Sequence, residues 1–171
     1  MKVIDNFLTV GDYNNILSIL TSNNFPWYYN EKTCSRPEEE NEIDGFQFIH
    51  GFMDGGTINS SFYDYLQPLI YETENIFNFS RKIIKAKANF STIDVNIGSH
   101  NHRPIHIDKD FGVTAIYYVN DADGDTIIFD DKMIEVSPKA NRLVYFDSQL
   151  KHCYRTATKN NKRIVINLNL N

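Results

Sequence analysis

His106, Asp108 and His152, followed by Arg163, form the one constellation in these 171 residues whose types and order suggest a specific chemistry. Two imidazoles and one carboxylate can occupy one face of an octahedral metal and leave the opposite face open, the coordination an oxygen-activating Fe(II) requires. Residues two apart on a β-strand point to the same side, so His106 and Asp108 can grip one ion together while Ile107 turns away into packing. A lone His-x-Asp is a weak signal. It gains force from His152 at the start of a late extended segment and from Arg163, eleven residues further on, opening the apolar strand Arg163-Ile-Val-Ile-Asn-Leu. A guanidinium is planar, permanently charged and able to donate two parallel hydrogen bonds to a carboxylate, so Arg163 suits the anchoring of an acidic ligand beside the metal. Lys162 is the rival cation, and strand alternation sends one of the two inward and the other to solvent.

From Asn89 to Asn171 the chain resembles the Fe(II)- and 2-oxoglutarate-dependent dioxygenases, and within them the small prolyl 4-hydroxylase-like group found in bacteria and phages. The resemblance runs through the His106-Ile-Asp108 dyad, the strand Thr114-Ala-Ile-Tyr-Tyr-Val-Asn120 and the turn and strand Gly124-Asp-Thr-Ile-Ile-Phe129. It continues through Pro138-Lys-Ala-Asn-Arg-Leu-Val-Tyr-Phe-Asp147 and closes on His152 and Arg163. Val119 stands where the family carries leucine. The resemblance implies that His106, Asp108 and His152 bind Fe(II), that 2-oxoglutarate chelates the same ion, and that Arg163 holds its far carboxylate, with Tyr118 donating its hydroxyl to the same group. It further implies O2 as oxidant, ascorbate as a supporting reductant, and hydroxylation of an unactivated C–H bond with release of succinate and carbon dioxide. A peptidyl proline is the leading substrate, with other side chains and free metabolites as the alternatives. The carboxylate ligand Asp108 favours hydroxylation over halogenation, because related halogenating enzymes carry a small residue there.

Other residues are possible contributors. Asn167 and Asn169 share strand parity with Arg163 and could face the same pocket; the family often places an aromatic residue near Asn169, and none stands here. His100 and His102 precede His106 at even spacing, but Pro104 argues against a continuous strand, so Ser99 to Arg103 is expected to be a loop at the pocket mouth with His102 as a substrate or supporting contact. His50 is expected to be structural. Two rival functions use the same residues: a Zn(II) hydrolase built on the three ligands, which leaves Arg163 and Tyr118 without a task, and a non-catalytic binding or structural module.

The elements that must position these residues follow from pattern. Lys2 to Phe7 is expected as a short strand. Tyr13, Ile16, Leu17 and Leu20 mark one face of a helix capped by Thr9 or Asp12. Trp27 to Tyr29 and Phe46 to Phe52 read as strands around a charged loop containing Glu38-Glu39-Glu40, expected to be solvated. A second helix starts near Ser60 or Ser61, and Pro68 should kink or restart it. From Arg81 onward, short runs rich in β-branched and aromatic residues alternate with turn residues. The expected architecture is mainly β: a double-stranded β-helix, or cupin-like jelly roll, over residues 81–171, with residues 1–80 as helical and strand support in one domain. Lys82, Lys85 and Lys87 are expected along a solvated strand edge.

Composition agrees with one enzyme-sized domain: 42% hydrophobic and 13% aromatic residues, with twelve Phe and ten Tyr. The net charge of −5 offers no basic field toward nucleic acid or an anionic membrane, so the expected partners are a peptide or small-molecule substrate. Oligomeric state is left open. Two cysteines and no secretory h-region suggest a reduced intracellular protein.

Overall fold

The last strand organises the molecule. In a computed structural model that describes residues 1–34, 44–93, 102–108, 112–159 and 162–171, the strand Arg163–Leu170 lies at the centre of a large antiparallel sheet. In chain order the elements are β1 (Lys2–Ile4), α1 (Val10–Leu20), β2 (Tyr28–Asn30), β3 (Gln47–Asp54), β4 (Thr57–Ile58), a 3-10 turn (Tyr63–Leu66), α2 (Gln67–Asn75), β5 (Ile83–Ser91), β6 (Val113–Tyr118), β7 (Thr126–Phe129), β8 (Met133–Val136), β9 (Arg142–Asp147), β10 (Lys151–Tyr154) and β11 (Arg163–Leu170). The large sheet runs β1-β9-β6-β11-β5-β3-β2, with β4 paired to β3, and a smaller sheet runs β10-β7-β8. This is the jelly-roll fold.

Alternation along β11 separates two interiors. Ile164, Ile166, Leu168 and Leu170 point to one face, where they join Ala86 and Ala88 of β5, Ala115 and Tyr117 of β6, and the helical residues Ile16, Leu20, Leu66 and Leu69 in one apolar core. Arg163, Val165, Asn167 and Asn169 point to the other face, toward the small sheet, where Val165 packs with Ile116, Tyr118, Ile128, Val144 and Phe146. The first core ties residues 1–80 to the sheet; the second closes the roll around the site.

Local chemistry explains the helix boundaries. Thr9 caps α1, its Oγ1 accepting from the Asp12 backbone N–H at 3.2 Å while its hydroxyl donates to the Asp12 carboxylate. Pro68 sits in the first turn of α2, where its missing N–H costs nothing, so the helical stretch restarts after the 3-10 turn as expected. The first strand ends at Ile4, short of Phe7. Glu38-Glu39-Glu40 lies outside the described residues. His50, on the helix-facing side of β3, donates from Nδ1 to the Pro26 carbonyl (2.8 Å) and accepts from the Ser60 hydroxyl at Nε2 (2.7 Å), which satisfies both nitrogens away from the metal-ligand candidates.

The lysine expectation fails. β5 is an interior strand hydrogen-bonded to both β11 and β3, and Lys85 and Lys87 are half-buried on its pocket face; Lys82 alone is at the exposed end, paired with Glu74 at 2.7 Å. Strand order is a long-range property, so the local sequence could not exclude an edge. Ile107 is the second correction. It is 38% exposed rather than packed, because the segment around it is an irregular run and not a regular strand.

Candidate active site

The run 102–108 is laid antiparallel beside β10 by two isolated bridges, His102 to Arg155 and His106 to His152. His106 and His152 exchange both backbone hydrogen bonds (3.0 and 2.9 Å), which sets their rings side by side with centroids 4.4 Å apart. Between the two bridges Pro104 interrupts the pairing, as its missing donor requires. The structure therefore brings together the three residues that the sequence singled out: one ligand atom from each of His106, Asp108 and His152 lies within 4.8 Å of the others.

Each ring has its tautomer fixed from behind. His106 Nδ1 donates to the Pro104 carbonyl (3.0 Å) and His152 Nδ1 to the Leu150 carbonyl (3.1 Å), leaving each Nε2 with a lone pair directed at Asp108. The Asp108 Oδ1 lies 3.9 Å from His106 Nε2 and 3.8 Å from His152 Nε2. Its Oδ2 accepts from the Thr114 hydroxyl at 2.7 Å and from the Asn169 amide at 3.0 Å. One carboxylate oxygen is thus held by the protein and the other is presented to the space between the imidazoles. A donor set of two neutral imidazole nitrogens and one carboxylate oxygen fits Fe(II).

Electrostatics support that presentation at Asp108 and His152. Burial pushes the Asp108 carboxyl up, but His152, the Thr114 hydrogen bond, His106 and Asn169 outweigh it and hold the group below the usual carboxylate range. Burial holds the His152 imidazole below its ordinary value against the pull of Asp108. For His106, burial acts in the same direction but is outweighed by hydrogen bonds with the Cys34 side chain and the Pro104 carbonyl, so its value is raised.

Arg163 occupies the other end of the same cavity. It is 3% exposed, donates from Nε to the Gly124 carbonyl (2.8 Å) and from Nη2 to Thr126 Oγ1 (3.0 Å), and its guanidinium lies 4.5 Å above the Tyr154 ring. Among the described residues no carboxylate pairs with it. A buried guanidinium with only neutral partners is costly unless an anion completes it, so this end of the cavity fits a carboxylate ligand. Lys162 is exposed and lies outside the lining of this cavity. Tyr118 is fully buried and donates to the same Thr126 Oγ1 at 2.8 Å, so Thr126 joins Tyr118 to Arg163. Gly124 must be glycine: a Cβ there would come 2.5 Å from the Arg155 carbonyl oxygen and 3.1 Å from Arg163 Cδ.

Asn169 faces the site as parity suggested and holds Asp108, whereas Asn167 lines the cavity directly. His102 lies outside this lining; its Nδ1 contacts the Arg103 carbonyl at 2.9 Å. Sequence reasoning missed Thr114, Thr126, Tyr154 and Gly124. Thr114 shares parity with Tyr118 and was within reach of that argument; Thr126 and Tyr154 come from the second sheet, whose placement no local pattern encodes.

Residues 92–171 match the family model described as the 2OG-Fe(II) oxygenase superfamily. This C-terminal region is thus similar in sequence to that superfamily, whose enzymes use Fe(II), 2-oxoglutarate and O2. Solved members share the fold of the whole chain. A prolyl hydroxylase from Trichoplax adhaerens, in complex with a peptide fragment of the hypoxia inducible factor oxygen degradation domain, superposes with a TM-score of 0.66 at 19% identity over 99% of this chain and 82% of that one. A prolyl-4-hydroxylase from Pseudomonas putida gives 0.61 at 17% identity over 99% and 90%. A viral collagen prolyl hydroxylase from Paramecium Bursaria Chlorella virus-1 gives 0.58 at 14% identity over 99% and 94%. No curated protein matches the chain in sequence. Among the described residues no helix is long and apolar enough to cross a membrane.

Proposed function

We propose that residues 1–171 form one catalytic domain that hydroxylates an unactivated C–H bond, with a peptidyl proline as substrate. The observation that carries this reading is the directed donor set: Nε2 of His106, Nε2 of His152 and Oδ1 of Asp108 converge, each held by a hydrogen bond on its far side. These three residues would hold Fe(II), which with 2-oxoglutarate and O2 supplies the oxidising chemistry and leaves succinate and carbon dioxide as coproducts.

The chain's own contribution is positional. Arg163, oriented by Gly124 and Thr126 and braced on Tyr154, would hold the distal carboxylate of 2-oxoglutarate. Tyr118 would add its hydroxyl through the same Thr126 corner. Burial of Arg163 strengthens the pair by excluding water from it. The proline assignment draws on the fold shared with three prolyl hydroxylases, one of them holding a peptide.

The deciding experiment is an anaerobic preparation given Fe(II) and 2-oxoglutarate and then O2, with succinate measured in the presence and absence of proline-containing peptides. Succinate that depends on Fe(II) and rises with a peptide supports the hydroxylase. A 2-oxoglutarate affinity unchanged by Mn(II), used as a redox-inert stand-in, would sink the cosubstrate role and favour a zinc hydrolase.

A further inference from the structure

The pocket face of β5 carries two lysines that the cosubstrate reading does not use. In register with β11, Ser91 lies opposite Arg163, Lys87 opposite Asn167 and Lys85 opposite Asn169. Asn169 is the residue that holds Asp108, so the lysine rows stand at the metal-ligand end of the ladder, while Arg163 stands at the other. Four residue steps separate the Arg163 row from the Asn167–Lys87 row, roughly 13 Å at about 3.3 Å per residue. The two cationic positions therefore face different carboxylate groups. Lys87 lines both the cavity containing Arg163 and the groove beside it, and that groove is also bordered by Lys85, His106, Ile107 and Asp108.

Neither lysine has a carboxylate partner among the described residues, although both are half-buried. Lys82, on the same strand approach, does pair with Glu74, so the lack of a partner is particular to the two that face the groove. Burial, reinforced by the neighbouring Lys85 charge, holds the Lys87 ammonium below its ordinary range against the weaker opposing pull of Asp108, Cys34 and Asp54, neither carboxylate making an ion pair with it. Asn89, next on the same face, has a buried Oδ1 with no hydrogen-bond partner and is positioned to accept from an N–H. Lys85, Lys87 and Asn89 follow one another on one face of β5, with Lys87 shared by the two pockets, so two cations and a lone acceptor form a recognition surface for a carboxylate with an N–H donor nearby.

We propose that Lys87, supported by Lys85, is a carboxylate-binding subsite for the substrate, so that the hydroxylated carbon is presented beside an acidic group. This rests on the hydroxylase reading above and narrows its substrate to anionic compounds. The acidic group has two sources: the side chain of a residue flanking the target in a peptide, or the α-carboxylate of a free amino acid.

The test uses the full chain loaded with Mn(II) and 2-oxoglutarate. Binding is measured for tetrapeptides that differ only in glutamate or glutamine beside proline, and for L-proline against L-prolinamide. At least one carboxylate member should bind tenfold or more tighter than its neutral partner. Lys87→Met should abolish that preference and Lys87→Arg should retain it, with 2-oxoglutarate affinity within twofold of the parent in both. Preference confined to the peptides identifies an acidic peptide substrate; preference confined to L-proline identifies a free amino acid. Equal binding of both members, binding of neither, or a preference that survives Lys87→Met overturns the subsite. Loss of Mn(II)-dependent 2-oxoglutarate binding in the parent chain would instead overturn the hydroxylase reading itself, so the two failures are distinct.

Discussion

Asn169 donates a hydrogen bond of 3.0 Å to the Oδ2 of Asp108, which ties the central strand to the irregular run that carries two of the three ligand candidates. Thr114 of the adjacent strand donates to the same oxygen. Together they leave Oδ1 as the oxygen facing the imidazoles. Asn169→Ala or Thr114→Val should therefore weaken metal affinity by about 10–100-fold, the usual scale for partners that orient a ligand. A Mn(II) titration followed by electron paramagnetic resonance checks this, and unchanged affinity would mean that the metal alone sets the carboxylate.

At the cosubstrate end, Arg163→Met should weaken 2-oxoglutarate binding by about 2–5 kcal/mol, since it removes one partner of a desolvated charge pair. Gly124→Ala should act in the same direction without touching a charge, because its Cβ would displace Arg163 Cδ or the Arg155 carbonyl. Isothermal titration of 2-oxoglutarate into the Mn(II) form separates these effects from metal loss. If Gly124→Ala binds normally, the position of Arg163 does not depend on that contact.

How far the sequence revealed this site depended on the range of each relationship. His106 and Asp108 are two residues apart, and the facing set Arg163, Val165, Asn167 and Asn169 follows from strand parity, so local rules sufficed for both. Pro104 and Pro68 were legible because a missing N–H has the same consequence in any fold. Lys85 and Lys87 were misplaced because the position of β5 between β11 and β3 depends on pairings 33 to 87 residues away in sequence. Thr126 and Tyr154 approach Arg163 from the second sheet, and nothing in their neighbours marks them. Ile107 was misjudged through assuming a regular strand where only His106 and His102 make bridges.

His106→Ala should abolish metal retention while leaving the fold intact. The apolar core that joins the helices to the sheet lies on the opposite face of β11 from the ligands, and none of its members is a ligand. Circular dichroism and a thermal melt on the metal-free variant should match the metal-free parent. Loss of structure would mean that the ion is a structural element of the roll.

At the β1 edge of the large sheet, Asp5 receives Arg142 Nε at 2.6 Å and Lys139 Nζ at 3.1 Å, clamping the end of β1 to β9. The Arg142 and Lys139 hydrogen bonds hold the Asp5 carboxyl well below the usual carboxylate range. A carboxyl depressed by folding contributes stability above its unfolded value, about 4, and loses that contribution as pH falls toward its folded value. The urea midpoint of Asp5→Asn should lie below the parent's near neutral pH, and the gap should shrink on acidification below pH 4 and in high salt. A gap that persists unchanged at low pH would assign the effect to shape rather than charge.

Asn141 joins backbone conformation to the same part of the core. It has a positive φ of 59°, its Oδ1 accepts from the Leu8 N–H (2.9 Å) and the Tyr117 hydroxyl (3.0 Å), and its Nδ2 donates to the Leu8 carbonyl (2.9 Å). Asparagine tolerates the left-handed region better than other non-glycine residues, and its amide here replaces a strand partner for the segment before α1. Asn141→Ala loses both advantages and should destabilise the fold by about 2–4 kcal/mol, since buried Leu8 and Tyr117 groups are left unpaired. Asn141→Gly loses the hydrogen bonds but keeps the favoured backbone, so it should be milder by about 1 kcal/mol. Urea denaturation of the two variants reads that difference directly: equal losses would mean that the backbone conformation costs alanine nothing, and that the hydrogen bonds to Leu8 and Tyr117 alone account for Asn141.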